Sequence, residues 1–280
     1  MQCCAISDAH NDFLTSEKCD LLKLDKEFEK NNVALCNAIL FSNDKSPLDI
    51  CTITKLKSSI NNFQHLKKSC IFSFENIGFV KNLDAIIQFI PFSCSLTWNF
   101  DNKFAGGAFG FSNLTKKGLN AIKELNKNRI IIDTAHLNRQ SFWSAIKVIN
   151  HPIFNSHSCI SVFKEHRRNI DIEQLKAIYD TKGFLGITFV RDFFSNKKIC
   201  NYTEIFYIID AIIQTLGNEC IGFGSDFYGT NRLPSKLKNY YDFYNLYQLF
   251  KASGYKDYDI EKIFYKNFMN FVKTQQSNCF

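Results

Sequence analysis

Eight short, β-rich apolar runs alternate along this chain with segments of helical pattern. The runs lie near residues 3–10, 33–41, 70–75, 94–99, 129–136, 152–157, 184–190 and 220–227. They recur about every 20 to 40 residues, the size of a strand–loop–helix–loop unit. Several are apolar on both faces, as in Ile130-Ile131-Ile132, which suits a parallel sheet covered on both sides. Between them, Thr115 can cap a helix whose inner face carries Leu119, Ile122 and Leu125. Asp171 stands at capping-box spacing from Gln174, with Leu175 and Ile178 following. Residues 203–217 put Ile205, Ile208, Ile209, Ile212 and Leu216 on one stripe, and Gly217 suits the C-terminal cap. No internal repeat, linker or shift of composition interrupts the pattern. One domain over residues 1–280 is expected, with C-terminal helices at about 240–272.

Eight β-α units predict an α/β fold, a single (β/α)8 TIM-type barrel, with a doubly wound open sheet as the alternative. What favours the barrel is where the polar residues fall. His10 and Asp12, Glu75, His136, His157 and Asp226 all stand at the C-terminal ends of apolar runs, the face on which barrels build active sites. In an open sheet the first and eighth strands would lie far apart. In a barrel they are neighbours.

His10 and Asp12 are two apart, so in an extended strand an imidazole nitrogen and a carboxylate project side by side, as ligands for one divalent metal. Taken singly, such a pair is a weak signal, and a hydrogen-bonded core histidine is the commoner explanation of any one ring. Three of the chain's six histidines end strand-like runs, however, and Asp12 and Glu75 share their rim. That convergence points to metal. His65, in a Lys-rich helix, is expected on the surface, and His151, which opens a run, at the opposite end of the barrel.

Composition narrows the function classes. With 45% hydrophobic and 22% charged residues the chain is globular. Its net charge of +7 comes from scattered basic residues, apart from short runs at 164–168 and 197–198. Nothing resembles the basic, aromatic-interleaved patch of a nucleic-acid binder. Small anionic substrates would still be attracted. The eleven cysteines are odd in number, contain no CxxC pair and lie partly inside apolar runs, which fits free thiols in a reducing compartment. No signal-like start and no run near the roughly 20 apolar residues of a membrane span is present, so a cytoplasmic protein without membrane or nucleic-acid partners is expected.

Several motifs fall in a familiar order: Asp8-Ala-His-Asn-Asp12, Phe74-Glu-Asn76, Leu96-Thr-Trp-Asn99, Gly118 with its helix, Asp133-Thr-Ala-His136 and Asn155-Ser-His-Ser158. His166-Arg-Arg-Asn169, the stretch from Gly222 through Asp226 to Gly229, and Asn267-Phe-Met-Asn-Phe271 complete the series. In these the chain resembles the membrane dipeptidase (renal dipeptidase) family of zinc metallopeptidases, in its bacterial form. The resemblance implies a site of two Zn2+ ions: His10 and Asp12 on one, His136 and His157 on the other, Glu75 bridging. Such a pair, roughly 3.5–4 Å apart, would acidify a bridging water into a hydroxide that attacks the peptide bond. Asp226 matches the family's acid/base. Arg168 matches the arginine that clamps the substrate's free carboxylate, for which a guanidinium fork is suited. Trp98 stands near the substrate carbonyl, where animal members carry histidine. Arg167 and Tyr228 also depart from the common pattern.

The implied activity is hydrolysis of dipeptides with a free C-terminal carboxylate, L-L and also L-D. A small-molecule partner is thus expected, and the resemblance allows a homodimer. A related hydrolase of N-acyl amino acids is the second enzyme reading. A barrel that only binds a ligand is a third, and the full ligand set argues against it. Residues 101–110, rich in glycine but lacking the GxxxxGK[ST] spacing, are expected to form a mobile rim loop rather than a phosphate cradle. No lysine stands at the fourth tip, which leaves Glu75 as the only evident bridge.

Overall fold

The computed structural model describes residues 4–43, 47–80 and 82–277, so residue 3 of the first run and the last three residues of the chain lie outside it. Eight strands form: β1 (Ile6–Asn11), β2 (Val33–Phe41), β3 (Cys70–Glu75), β4 (Ser93–Ser95), β5 (Ile131–Asp133), β6 (Phe154–Ser158), β7 (Phe184–Ile187) and β8 (Ile221–Phe223). All pair in parallel with their sequence neighbours, and β8 returns to β1 with Asp8 opposite Phe223, closing the barrel. This is the (β/α)8 arrangement that the alternating runs predict.

The helices start where local chemistry starts them. Thr115 Oγ1 accepts from Gly118 N–H at 3.0 Å, satisfying an otherwise orphaned donor of the helix Lys116–Lys127. Asp171 and Gln174 complete both halves of the capping box at 2.8 and 3.0 Å. The helix Thr203–Leu216 buries its isoleucine stripe and ends at Gly217, whose φ of 87° is open to glycine at little cost.

The structure departs from the expected pattern at the tips and at the end of the chain. β4, β5 and β8 have three residues each, and the polar parts of those runs leave the sheet early to form the rim. His136 and Asp226 lie in such stretches with φ of 67° and 59°. The closing helix is interrupted by a π-turn at Lys262–Lys266 between Asp257–Glu261 and Asn267–Ser277. That last helix sends Phe268, Phe271 and Val272 into the N-terminal mouth of the barrel, against Phe92, Phe154 and Phe184. Phe268 stacks 6.1 Å from Phe154 and lies tilted 5.0 Å from Phe184. Asn267 Nδ2 donates to the carbonyls of Asn218 and Ile221, locking the helix to the base of β8.

The plug therefore closes the end opposite the polar rim. Phe268→Ala should cost about 3–5 kcal/mol, the range for truncating a buried aromatic. The shift in denaturation midpoint would measure it, with activity per folded molecule unchanged. A loss below about 1 kcal/mol would mean that the ring is not part of the core. Among the described residues no helix is long and apolar enough to cross a membrane.

Candidate active site

The five ligand candidates reach the rim on four strands. His10 is inside β1, Asp12 just beyond it, Glu75 the last residue of β3, His136 three residues past β5, and His157 inside β6. All five are buried. His10 Nε2 lies 3.2 Å from Asp12 Oδ2 and 3.9 Å from Glu75 Oε2. Glu75 Oε1 lies 2.7 Å from His136 Nε2 and 3.9 Å from His157 Nε2, and the two imidazole nitrogens are 3.0 Å apart. Ligand atoms of His10, Glu75 and His157 all fall within 4.8 Å of one another, as do those of His10, Asp12 and Asp226.

The protons on these rings can be placed. His136 Nδ1 is 3.1 Å from Asn99 Oδ1, an amide oxygen that only accepts. The ring proton is then on Nδ1, and a lone pair on Nε2 faces Glu75 and His157. Burial, reinforced by Arg168, pulls His136 down to about 4, and burial with the nearby His10 charge holds His157 well below the usual histidine range. Both rings are neutral donors of electron pairs. His10 behaves oppositely. Burial resists its charging, but Asp12, Glu75 and Asp226 outweigh that and hold it at about 10. The carboxylates of this pocket thus attract positive charge strongly. Asp12 Oδ2 and Glu75 Oε1 are buried without hydrogen-bond partners among the described residues, although such atoms are costly to leave bare. Converging nitrogen lone pairs with orphaned carboxylate oxygens are a donor set that fits divalent cations.

Asp226 follows β8, and its N–H donates to the His10 carbonyl at 3.1 Å. Loss of solvation and the adjacent Asp12 carboxylate raise its carboxyl well above the usual range. Gly229 leaves room for both acids. A Cβ there would stand 2.1 Å from Asp226 Oδ1 and 2.4 Å from Asp12 Oδ2. Asp8, fully buried, ties the two strands together by accepting from Ser225 N–H (2.8 Å), Ser225 Oγ (2.6 Å) and Tyr240 OH (2.7 Å).

The cluster opens into a cavity of about 230 Å³ whose wall includes Trp98, Arg168, Phe193 and Asp226. Arg168 is 3% exposed. Its Nη2 donates to the His157 carbonyl at 3.1 Å, its guanidinium sits 5.3 Å above the Phe193 ring, and its Nε has no partner among the described residues. Burial lowers this guanidinium to about 10. Trp98 is 38% exposed at the cavity mouth, its ring 6.3 Å from that of His136. Arg167 points away, donating to the Phe109 carbonyl and stacking over Phe111. Tyr228 lines a neighbouring cavity of about 530 Å³.

A family model for membrane dipeptidases, peptidase family M19, matches residues 52–278. The chain belongs to the membrane dipeptidase family. It is a metallo-dipeptidase of that family, with His10 and Asp12 lying ahead of the matched span. A Klebsiella pneumoniae protein described as an uncharacterized protein in the pqqA 5' region is 29% identical over 188 residues, 63% of this chain and 69% of that one. A metallo peptidase from Rhodobacter sphaeroides, solved with a phosphinate mimic of L-Ala-D-Ala, superposes with a TM-score of 0.82 at 16% identity, covering 97% of this chain and 99% of that one. An amidohydrolase from Pseudomonas aeruginosa reaches 0.84 at 18% identity, over 97% and 96% of the two chains. At these identities the two structures speak for the shared barrel.

Within this dipeptidase the rim loop at 101–110 is tied down rather than free. The Asp101 carboxylate accepts from the N–H groups of Phe111 and Ser112 at 3.1 and 3.0 Å, and Phe109 N–H donates to the Asn99 carbonyl at 2.7 Å. That pinning holds Asn99 against His136. His151 lies away from the cluster, its Nε2 accepting from Ile132 N–H. His65 is half-buried rather than fully on the surface, with its backbone N–H donating to Asp25. Sequence reading assigned no role to Asn99, Ser156 or Asp133. Each sits inside or beside a quoted motif, but serine, asparagine and aspartate are too common for that to mark them.

Proposed function

We propose that this metallo-dipeptidase holds two Zn2+ ions, with His10 and Asp12 on one, His136 and His157 on the other and Glu75 between them, and cleaves dipeptides with a free C-terminal carboxylate. The observation that carries the substrate reading is Arg168, a buried guanidinium on the wall of the metal-side cavity whose Nε has no partner among the described residues. A buried charge is costly unless paired, and a planar fork pairs best with a carboxylate. Bound zinc would supply a nucleophile by acidifying water and would polarise the scissile carbonyl.

The remaining work falls to the chain. Asp226, with its raised affinity for a proton, accepts one from the attacking water and delivers it to the departing amine. Trp98 offers its indole N–H to the substrate at the mouth. The acids Asp12 and Asp226 suit the ammonium of a dipeptide, which an N-acyl amino acid lacks. Recognition through the carboxylate rather than the side chain admits L-D as well as L-L dipeptides. Nine described cysteines are free, five of them buried, which suits a reducing compartment such as the cytoplasm.

The test is a chromatographic turnover panel of L-L and L-D dipeptides, the corresponding dipeptide amides and N-acyl amino acids, run with zinc-loaded protein. Dipeptides should turn over, and amides and N-acyl amino acids should be poor. Arg168→Met should raise KM for dipeptides by roughly ten- to a hundredfold, as losing a charge-assisted hydrogen bond of about 1.5–3 kcal/mol requires. It should leave turnover of the amides unaltered. Equal losses on acids and amides would rule out the carboxylate clamp.

A further inference from the structure

Ser156 precedes His157 on β6 and is fully buried. Its Oγ lies 2.8 Å from His157 Nδ1 and 3.3 Å from His10 Nδ1. In the function proposed above, on which this inference rests, those two rings serve different cations. An imidazole that gives Nε2 to a cation keeps its proton on Nδ1 and needs an acceptor there. A hydroxyl has one proton and two lone pairs. The two lone pairs of Ser156 can receive both ring N–H groups. Its own proton is then left for the Asp133 carboxyl, with which the Ser156 side chain interacts. Asp133 is itself fixed, its Oδ1 accepting the N–H groups of Ser156 and Ala135 at 3.0 Å each. The opposite arrangement, with the hydroxyl donating to His157 Nδ1, would put a proton on Nε2 and aim it at His136 and Glu75, closing that site to a cation.

We propose that Ser156 is a positioning residue common to both halves of the metal centre, its single hydroxyl fixing the tautomer and ring orientation of His10 and His157 together. His136 provides the contrast, because Asn99 orients that ring alone. The two cation sites are therefore joined through one oxygen atom on the protein side, in addition to the bridging carboxylate.

Zinc titration of the metal-free protein against a chromophoric chelator reads this without reference to activity. In Ser156→Ala both binding steps should weaken roughly ten- to a hundredfold, the usual effect of losing a hydrogen-bond partner of a ligand. In Asn99→Ala only one step should weaken. A Ser156→Ala protein with both steps unchanged, or with one step weakened as in Asn99→Ala, overturns the proposal. Melting of the metal-free variants checks the fold. Should Ser156→Ala not fold, Ser156→Cys keeps a weaker donor and acceptor in place and must show the same paired loss at smaller size. Failure of the unaltered protein to bind two equivalents would instead remove the two-cation reading itself, before any variant is compared.

Discussion

Glu75→Gln is expected to lose metal and turnover together. Among the described residues Glu75 is the one carboxylate within 4 Å of both His10 and the His136–His157 pair, at 3.9, 2.7 and 3.9 Å from their Nε2 atoms. The charges of His10 and Arg168 favour its ionised form against the opposing effect of burial. An amide of the same shape keeps the packing but removes the negative charge that compensates two cations. Without it, His136 and His157 offer only neutral nitrogens. Activity should fall by roughly three orders of magnitude or more, about 4 kcal/mol of transition-state stabilisation. Bound metal, counted after desalting, should drop well below that of the parent while the circular dichroism spectrum is retained. A variant that kept its metal and its activity would show that Glu75 is not the bridge.

Asp226→Asn should give the complementary result, with chemistry lost and metal kept. Removing a general acid/base costs roughly 10²- to 10⁴-fold in kcat. The asparagine can still fit in the space that Gly229 leaves beside Asp12, so the pocket need not rearrange. Substrate binding through Arg168 is untouched, and KM should change little. Steady-state kinetics beside metal analysis separates the two roles open to Asp226. Intact metal with a collapsed kcat marks the proton carrier. Loss of metal would make it a ligand, in keeping with its oxygen lying within 4.8 Å of the ligand atoms of His10 and Asp12.

The barrel was readable because its signals are local and repeated. β2 and β3 occupy residues 33–41 and 70–75 as their apolar runs predict, and the helix caps at Thr115, Asp171 and Gly217 depend on contacts within a few residues. The ligand candidates were readable because histidine is rare here and sat repeatedly at run ends. The early ends of β5 and β8 were not, since left-handed turns at His136 and Asp226 depend on partners far away in the chain. Asn99 reaches His136 across 37 positions and Ser156 reaches His10 across 146. Nothing in a single serine or asparagine announces such a contact until the strands are curled into one ring. The pinning of the rim loop has the same origin, because Asp101 acts through backbone N–H groups that any sequence would supply.

The account turns on five side chains holding two cations at one mouth of the barrel. Anomalous diffraction at the zinc absorption edge, from crystals grown with zinc, tests this most directly. Two peaks should appear flanking the Glu75 carboxylate, one beside His10 and Asp12 and the other beside His136 and His157. A single peak, or zinc bound elsewhere with this cluster empty, would contradict it.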